Sequence, residues 1–170
     1  MKDIEQIKED LKKSVGDKLY IHCVNVMNTA VDLAVYYKVD IEKARIAGLL
    51  HDCGKLYNKN IKNLEHAGLG AEIVKDKYGV EDKEIINAIL YHTTGRENMT
   101  MLEKIVYIAD KIEPNREYDV VDEIRELAYS NMDKAIMKSF ESTFRYLKAK
   151  NVYIDKQSLD SYEFIKNNKS

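Results

Sequence analysis

Apolar residues return every three or four positions along almost the whole chain, and this constrains the fold more than any other feature of the sequence. Ile4, Ile7, Leu11 and Val15 form one such series, and Val26, Ala30, Leu33 and Tyr37 another, the spacing of one helical face. Alternation of period two is nearly absent. One proline and seven glycines among 170 residues leave few marks for the many tight turns of a β-sandwich or barrel. The pattern predicts an all-α, compact multi-helix bundle with helices at about 2–14, 17–37, 41–52, 66–78, 82–92, 101–112, 120–130, 132–150 and 156–167. Asp40 and Asp82 are suited to cap two of them, and Gly79 to stop a third.

A chain of this length is expected to form one domain, residues 1–170, with no repeat or linker dividing it. With 45% apolar and 33% charged residues it has material for a core and none of the bias of disordered or membrane chains. Lys and Arg total 27 against 29 for Asp and Glu, a net charge of −2, so no basic excess points to a nucleic-acid polymer or a membrane surface. The start, MKDIEQIKEDLKKSV, is too charged for a signal peptide, and no apolar run approaches the roughly 20 residues of a membrane span. A cytoplasmic location is expected. Cys23 and Cys53 fit no CxxC spacing and read as small buried thiols.

The helix breaks are not spread evenly. Six of the seven glycines lie between Gly48 and Gly95, and two stretches without periodicity, 53–65 and 93–99, read as surface loops that flank histidines. In and around this region stand His22, the His51–Asp52 doublet, His66, His92 and Asp110. Each has an ordinary structural use: His22 as a hydrogen-bonded residue of its helix, Asp110 as a partner for Lys111, His92 as a cation at a helix C-terminus. The doublet is less easily explained in that way. It follows the apolar run AGLL, where a buried acid needs compensation, and imidazole with carboxylate suits a divalent ion that keeps positions open for water.

In order and setting these residues resemble the HD-domain metal-dependent phosphohydrolases, whose pattern is a histidine, a His–Asp doublet and a distant aspartate. LLHDCGK, EHAGLGAEIV, AILYHTTGRENM and IVYIADKIEPNR are further similar to the YqeK branch of that family, which cleaves diadenosine tetraphosphate symmetrically to two ADP. The motif-bearing core spans about 17–130; the C-terminal helices, about 131–168, carry no sharp motif. The resemblance implies an HD-type bundle and a divalent transition metal, iron or manganese first, then Co, Ni, Zn or Mg. His22, His51, Asp52 and Asp110 would be its ligands, with Asp52 and His51 catalytic at a metal-activated water. Lys55, His66, His92, Thr93, Thr94, Arg96, Asp110 and Arg116 are the candidates for substrate binding, His66 and His92 through phosphate or as supports of the ligands, with a second ion there as the alternative.

The partner expected on this reading is a dinucleoside polyphosphate or an ADP-like nucleotide. The alternatives are an HD-type phosphohydrolase or phosphodiesterase acting on another nucleotide, and a non-catalytic nucleotide-sensing module. Tyr91, Tyr107 and Tyr118 lie near the motifs and could stack on a base, although tyrosine at helical spacing is more often core. Tyr162, Phe164 and Ile165 offer an apolar surface on which a homodimer could form. Cys23 and Cys53 stand where that branch often has other small residues, and thiols beside ligands suggest sensitivity to oxidation or zinc.

Overall fold

The computed structural model describes residues 1–56 and 64–168; residues 57–63 of the expected surface loop and the last two residues lie outside them. The chain is all-α, and no strand occurs among the described residues. In order the helices are α1 (Ile4–Ser14), α2 (Asp17–Tyr37), α3 (Ile41–Leu50), α4 (Glu65–Asp76), α5 (Lys83–Leu90), α6 (Met101–Ile112), α7 (Val121–Ser130), α8 (Met132–Ala149) and α9 (Lys156–Asn167), with a 3-10 turn at Cys53–Leu56 after α3.

Local chemistry explains the ends. Asp40 Oδ1 accepts from the Lys43 N–H at 3.0 Å, and Asp82 Oδ1 from the Glu84 N–H at 2.8 Å, satisfying donors that the first helical turn leaves open. Thr100 and Glu103 cap α6 reciprocally: the Glu103 N–H donates to Thr100 Oγ1 at 3.3 Å and the Thr100 N–H to Glu103 Oε2 at 3.0 Å. Pro114 forces Glu113 into an extended conformation, ψ 154°, and so closes α6.

α6 is the axis of the molecule. It is buried over most of its length and packs against α2, α3, α5, α7 and α8. Ile105, Val106, Ile108 and Ala109 are fully buried there, and each large aliphatic side chain so buried contributes roughly 1.5–3 kcal/mol. The end of α3 differs from the sequence reading. The helix stops at Leu50, so His51 and Asp52 occupy the turn that leads into the 3-10 segment. That turn lies against α4 because residue 54 is glycine: a Cβ there would stand 1.9 Å from the His66 carbonyl oxygen.

The apolar residues of the last segment are not a free surface. Ile165 is buried, and Tyr162 packs edge-on against Phe140 and Phe144 of α8 while its hydroxyl donates to Glu141. These two residues hold α9 to its own chain, while Phe164, the third apolar residue of the segment, is half-buried.

Candidate metal centre

Five elements bring their polar residues to one point. α2 contributes His22, the turn after α3 contributes His51 and Asp52, the first turn of α4 contributes His66, the turn after α5 contributes His92, and the last turn of α6 contributes Asp110. All but His22 are buried, and His22 is nearly so.

The atoms fall into two sets that share Asp52. On one side His22 Nε2 lies 3.2 Å from His51 Nε2, 3.1 Å from Asp110 Oδ1 and 3.7 Å from Asp52 Oδ2. On the other, His66 Nε2 and His92 Nε2 are 3.1 Å apart and stand 3.2 and 3.4 Å from Asp52 Oδ1. Three of the rings are oriented from behind. The Nδ1 of His51 donates to the Gly48 carbonyl at 2.8 Å, that of His92 to the Ile89 carbonyl at 2.7 Å, and that of His22 to Glu113 Oε1 at 3.1 Å. Carbonyl and carboxylate oxygens only accept, so the ring proton sits on Nδ1 and the Nε2 lone pairs face inward.

Lone pairs of imidazole converging at about 3 Å, with carboxylate oxygens between them, call for positive charge. Asp52 Oδ1 makes the point directly, being buried without a hydrogen bond although two ring nitrogens stand near it. The donor set, neutral imidazole and carboxylate in two groups of three or more, fits divalent cations. Without a cation the cluster draws in protons. Burial lowers the affinity of His51 for a proton, yet the Asp52 and Asp110 carboxylates reverse this and push its pKa up to about 10. Burial raises the pKa of Asp52, and the histidines facing it outweigh that and hold it well below the ordinary carboxylate range. Asp110 is likewise held low, against burial, by Lys111 and by His22 and His51.

The remaining sequence candidates divide. Lys55 Nζ donates to Asp52 Oδ2 at 2.6 Å, and Arg116 donates to Asp110 Oδ1 at 2.8 Å. Both border open cavities, and the Thr93 hydroxyl lies 3.2 Å from His92 Nε2. Thr94 and Arg96 are turned away. The Thr94 hydroxyl donates to the Gly95 carbonyl and accepts from Gln157 of α9; Arg96 forms a two-pronged bond to buried Glu103, at 3.0 and 2.9 Å, over the Tyr91 ring. In this structure both side chains are engaged within the fold rather than at the cluster. His66 and His92 border one cavity, but their Nε2 atoms aim at Asp52, the geometry of ligands more than of phosphate contacts.

Both thiols are free and buried. Cys53 is buried with its Sγ directed at the Gly70 carbonyl, and burial with the Asp52 charge pushes its pKa up to about 12; burial raises Cys23 further. Neither belongs to a donor group.

Three residues that the sequence reading did not assign to the site take part. Glu113 accepts from His22, from the Asn25 amide at 3.0 Å and from the Asn115 N–H at 2.8 Å. Arg125 of α7 donates to the carbonyls of Ile112, Glu113 and Arg116, pinning the turn that carries Glu113 and Arg116. Lys111 pairs with Asp110 at 2.9 Å and borders the cavity.

Comparison with known proteins agrees with this layout. The HD domain model matches residues 19–115, an interval that begins just before His22 and ends just after Glu113. A protein of Bacillus subtilis (strain 168), named as a symmetrical bis(5'-nucleosyl)-tetraphosphatase, is 37% identical over 91% of this chain and 93% of its own. A protein of Staphylococcus aureus with the same name is 34% identical over 95% of this chain and 94% of its own. A crystal structure from Clostridium acetobutylicum, described as a predicted HD superfamily hydrolase involved in NAD metabolism, superposes with a TM-score of 0.92 at 36% identity, covering 99% of this chain and all of that one.

Proposed function

Since the chain belongs to the HD-domain family, we propose that it is a cytoplasmic, metal-dependent hydrolase that cleaves diadenosine tetraphosphate at its midpoint, adding one water and releasing two ADP. The observation that carries this reading is the pair of donor sets joined by Asp52 and flanked by Lys55, Lys111 and Arg116. Relatives named for this activity match along nearly the whole chain.

In this reading His22, His51, Asp52 and Asp110 would hold one divalent cation, and Asp52 with His66 and His92 a second; iron or manganese would suit the mixed nitrogen and oxygen donors. Such cations polarise phosphoryl oxygen and make a water acidic enough to attack near neutral pH. The chain does the rest. Asp52 orients the attacking water, with His51 held beside it by the Gly48 carbonyl. Lys55, Lys111 and Arg116 neutralise the polyphosphate, whose own charge otherwise repels an anionic nucleophile, and steady the departing ADP. The Thr93 hydroxyl offers a further donor to phosphate oxygen. The buried walls limit water to what the site admits.

Product analysis tests this. Incubation with diadenosine tetraphosphate and Mn, Fe, Co, Mg or Zn in turn is expected to give ADP as the sole nucleotide product, and Asp52→Ala to lose metal and turnover together. AMP with ATP signifies asymmetric cleavage and overturns the assignment. Nucleotide binding without turnover under every metal points instead to a sensing module.

A further inference from the structure

Two open cavities meet at the centre, and they differ in character. One, of about 780 Å³, opens over the start of α2 at Gly16–Leu19 and the turn after α6 at Asn115–Tyr118. The other, of about 750 Å³, runs from His66, His92 and Asp110 along α8 to the turn between α8 and α9. Lys55 and Arg116 border both, so a chain of phosphates lying across these two cations has one end in each cavity. Each volume lies within the range of ordinary small-molecule sites.

The second cavity has a continuous apolar, aromatic far wall, made by Phe144, Leu147, Val152 and Tyr153, whereas in the first Leu19 and Tyr118 stand among charged and polar residues. Phe144 continues a ladder of rings that starts beside the ligands: Tyr107, one turn before Asp110, packs at 5.1 Å on Phe140, which packs at 5.5 Å on Phe144. At the rim Val152 and Tyr153 are 51% and 78% exposed, an unusual outlay of apolar surface for one short turn. The turn is nonetheless held in register with the centre. Gln157 donates to Thr94 Oγ1 and to the Gly95 carbonyl, at 2.9 and 2.7 Å, and Ser161 to the Thr94 carbonyl at 3.1 Å. Gly95 adopts φ 62°, which disfavours any side chain, and a Cβ there would stand 3.2 Å from both Phe140 and Ser161. The loop that follows His92 and Thr93 is thus tied to the helix that follows the exposed turn.

We propose that this wall is a nucleoside subsite: it takes the base of one nucleoside-diphosphate half of the substrate, whose phosphates lie on Lys55, Lys111 and Arg116. The assignment rests on the dinucleotide-hydrolase reading for its substrate, but it makes a separate claim about binding. A base is flat, apolar on both faces and comparable in width to the aromatic wall, so it covers the exposed Val152 and Tyr153 while its phosphates reach the cations at the opposite end. The other cavity, where Leu19 and Tyr118 stand apart among charged residues, receives the half that leaves first.

Tyr153→Ala and Val152→Ser test this on the full-length, metal-loaded protein; both positions are exposed, so neither change touches the core. Affinities for ADP and for inorganic pyrophosphate are compared by calorimetry, alongside the KM for diadenosine tetraphosphate. The expected result is about tenfold weaker ADP binding and a KM raised by a similar factor, the scale of one lost stacking contact, with pyrophosphate affinity within twofold of wild type. The subsite is overturned if ADP binds with unchanged affinity, if pyrophosphate weakens in parallel, or if Leu19→Ala in the other cavity is the change that weakens ADP. It is also overturned if wild type cleaves the dinucleotide without measurable affinity for ADP. If wild type binds ADP, the variants weaken it selectively and no dinucleotide is cleaved, the subsite stands and the proposed activity falls.

Discussion

Glu113 shows how much of the centre depends on a residue that touches no reacting atom. Burial pushes its carboxyl upward, but the Asn115 N–H, His22 and Asn25 outweigh this and hold it below the ordinary glutamate range, as a charged acceptor. Its partner His22 is the least buried of the four histidines, and Glu113 sets which of its nitrogens faces inward. Loss of such a support typically costs 10–100-fold in metal affinity. Glu113→Ala is therefore expected to weaken metal binding by about that factor, read by titration against a competing chelator, with unchanged far-ultraviolet circular dichroism. Glu113→Gln should recover part of it, because an amide oxygen still accepts the His22 proton; equal losses in both variants count against the orienting role. In the sequence this glutamate stands within the motif IVYIADKIEPNR, but by its own chemistry it signals only a helix end before Pro114. Thr94 and Arg96 show the opposite limit, since a polar loop beside a histidine suggests a site, whereas the direction of each side chain in the fold is set by Gln157 and Glu103, 63 and 7 residues away.

Among the elements, the turn after α3 does most to assemble the centre. The apolar spacing of IEKARIAGLL carries no sign of where the helix yields, so the sequence reading runs it two residues too far, through His51 and Asp52. By contrast α2, α6 and α9 begin and end where periodicity, caps and Pro114 put them, because those signals are local. The stop at Leu50 is tertiary: it follows from docking the 3-10 turn on α4, where Gly54 meets the backbone of His66. Gly54→Ala cannot be relieved by a side-chain rotation, since the Cβ meets a carbonyl, and overpacking of this kind costs typically 1–3 kcal/mol or more. The variant is expected to melt about 3–10 °C lower. At a temperature where it is still folded it should also lose most of its turnover, because the displaced atoms belong to His66. Gly70→Ala, whose Cβ finds only contacts of 3.4 Å or longer, serves as comparison and should lose far less of either.

At the scale of the whole molecule, the centre adds a polar link between elements that share one apolar core. His22 and Asp110 come from α2 and α6, which share the apolar core, but His66 lies on α4, which packs chiefly on α5 and the 3-10 turn. Cations held by the donor sets on the two sides of Asp52 would tie α4 and the turn after α5 to the α2–α6 core, and would bind only when all are in place. Their contribution to stability then follows mass action: at a free concentration 100 times the dissociation constant one bound cation adds about 2.7 kcal/mol. For a chain of this size that corresponds to a melting temperature higher by about 5–11 °C. Stripping metal with a chelator should lower the melting temperature by this much, and stepwise return of Mn or Fe should raise it with the logarithm of the free concentration. Helical content should change little at 25 °C, since the apolar packing of α6 against α2, α3 and α8 does not use the ligands. Asp52→Ala removes the group common to both donor sets, so in that variant the chelator and the returned metal should leave the melting temperature where it is. A metal-dependent rise that survives this substitution would mean that the cation acts elsewhere on the protein, and the bridged centre would have to be abandoned.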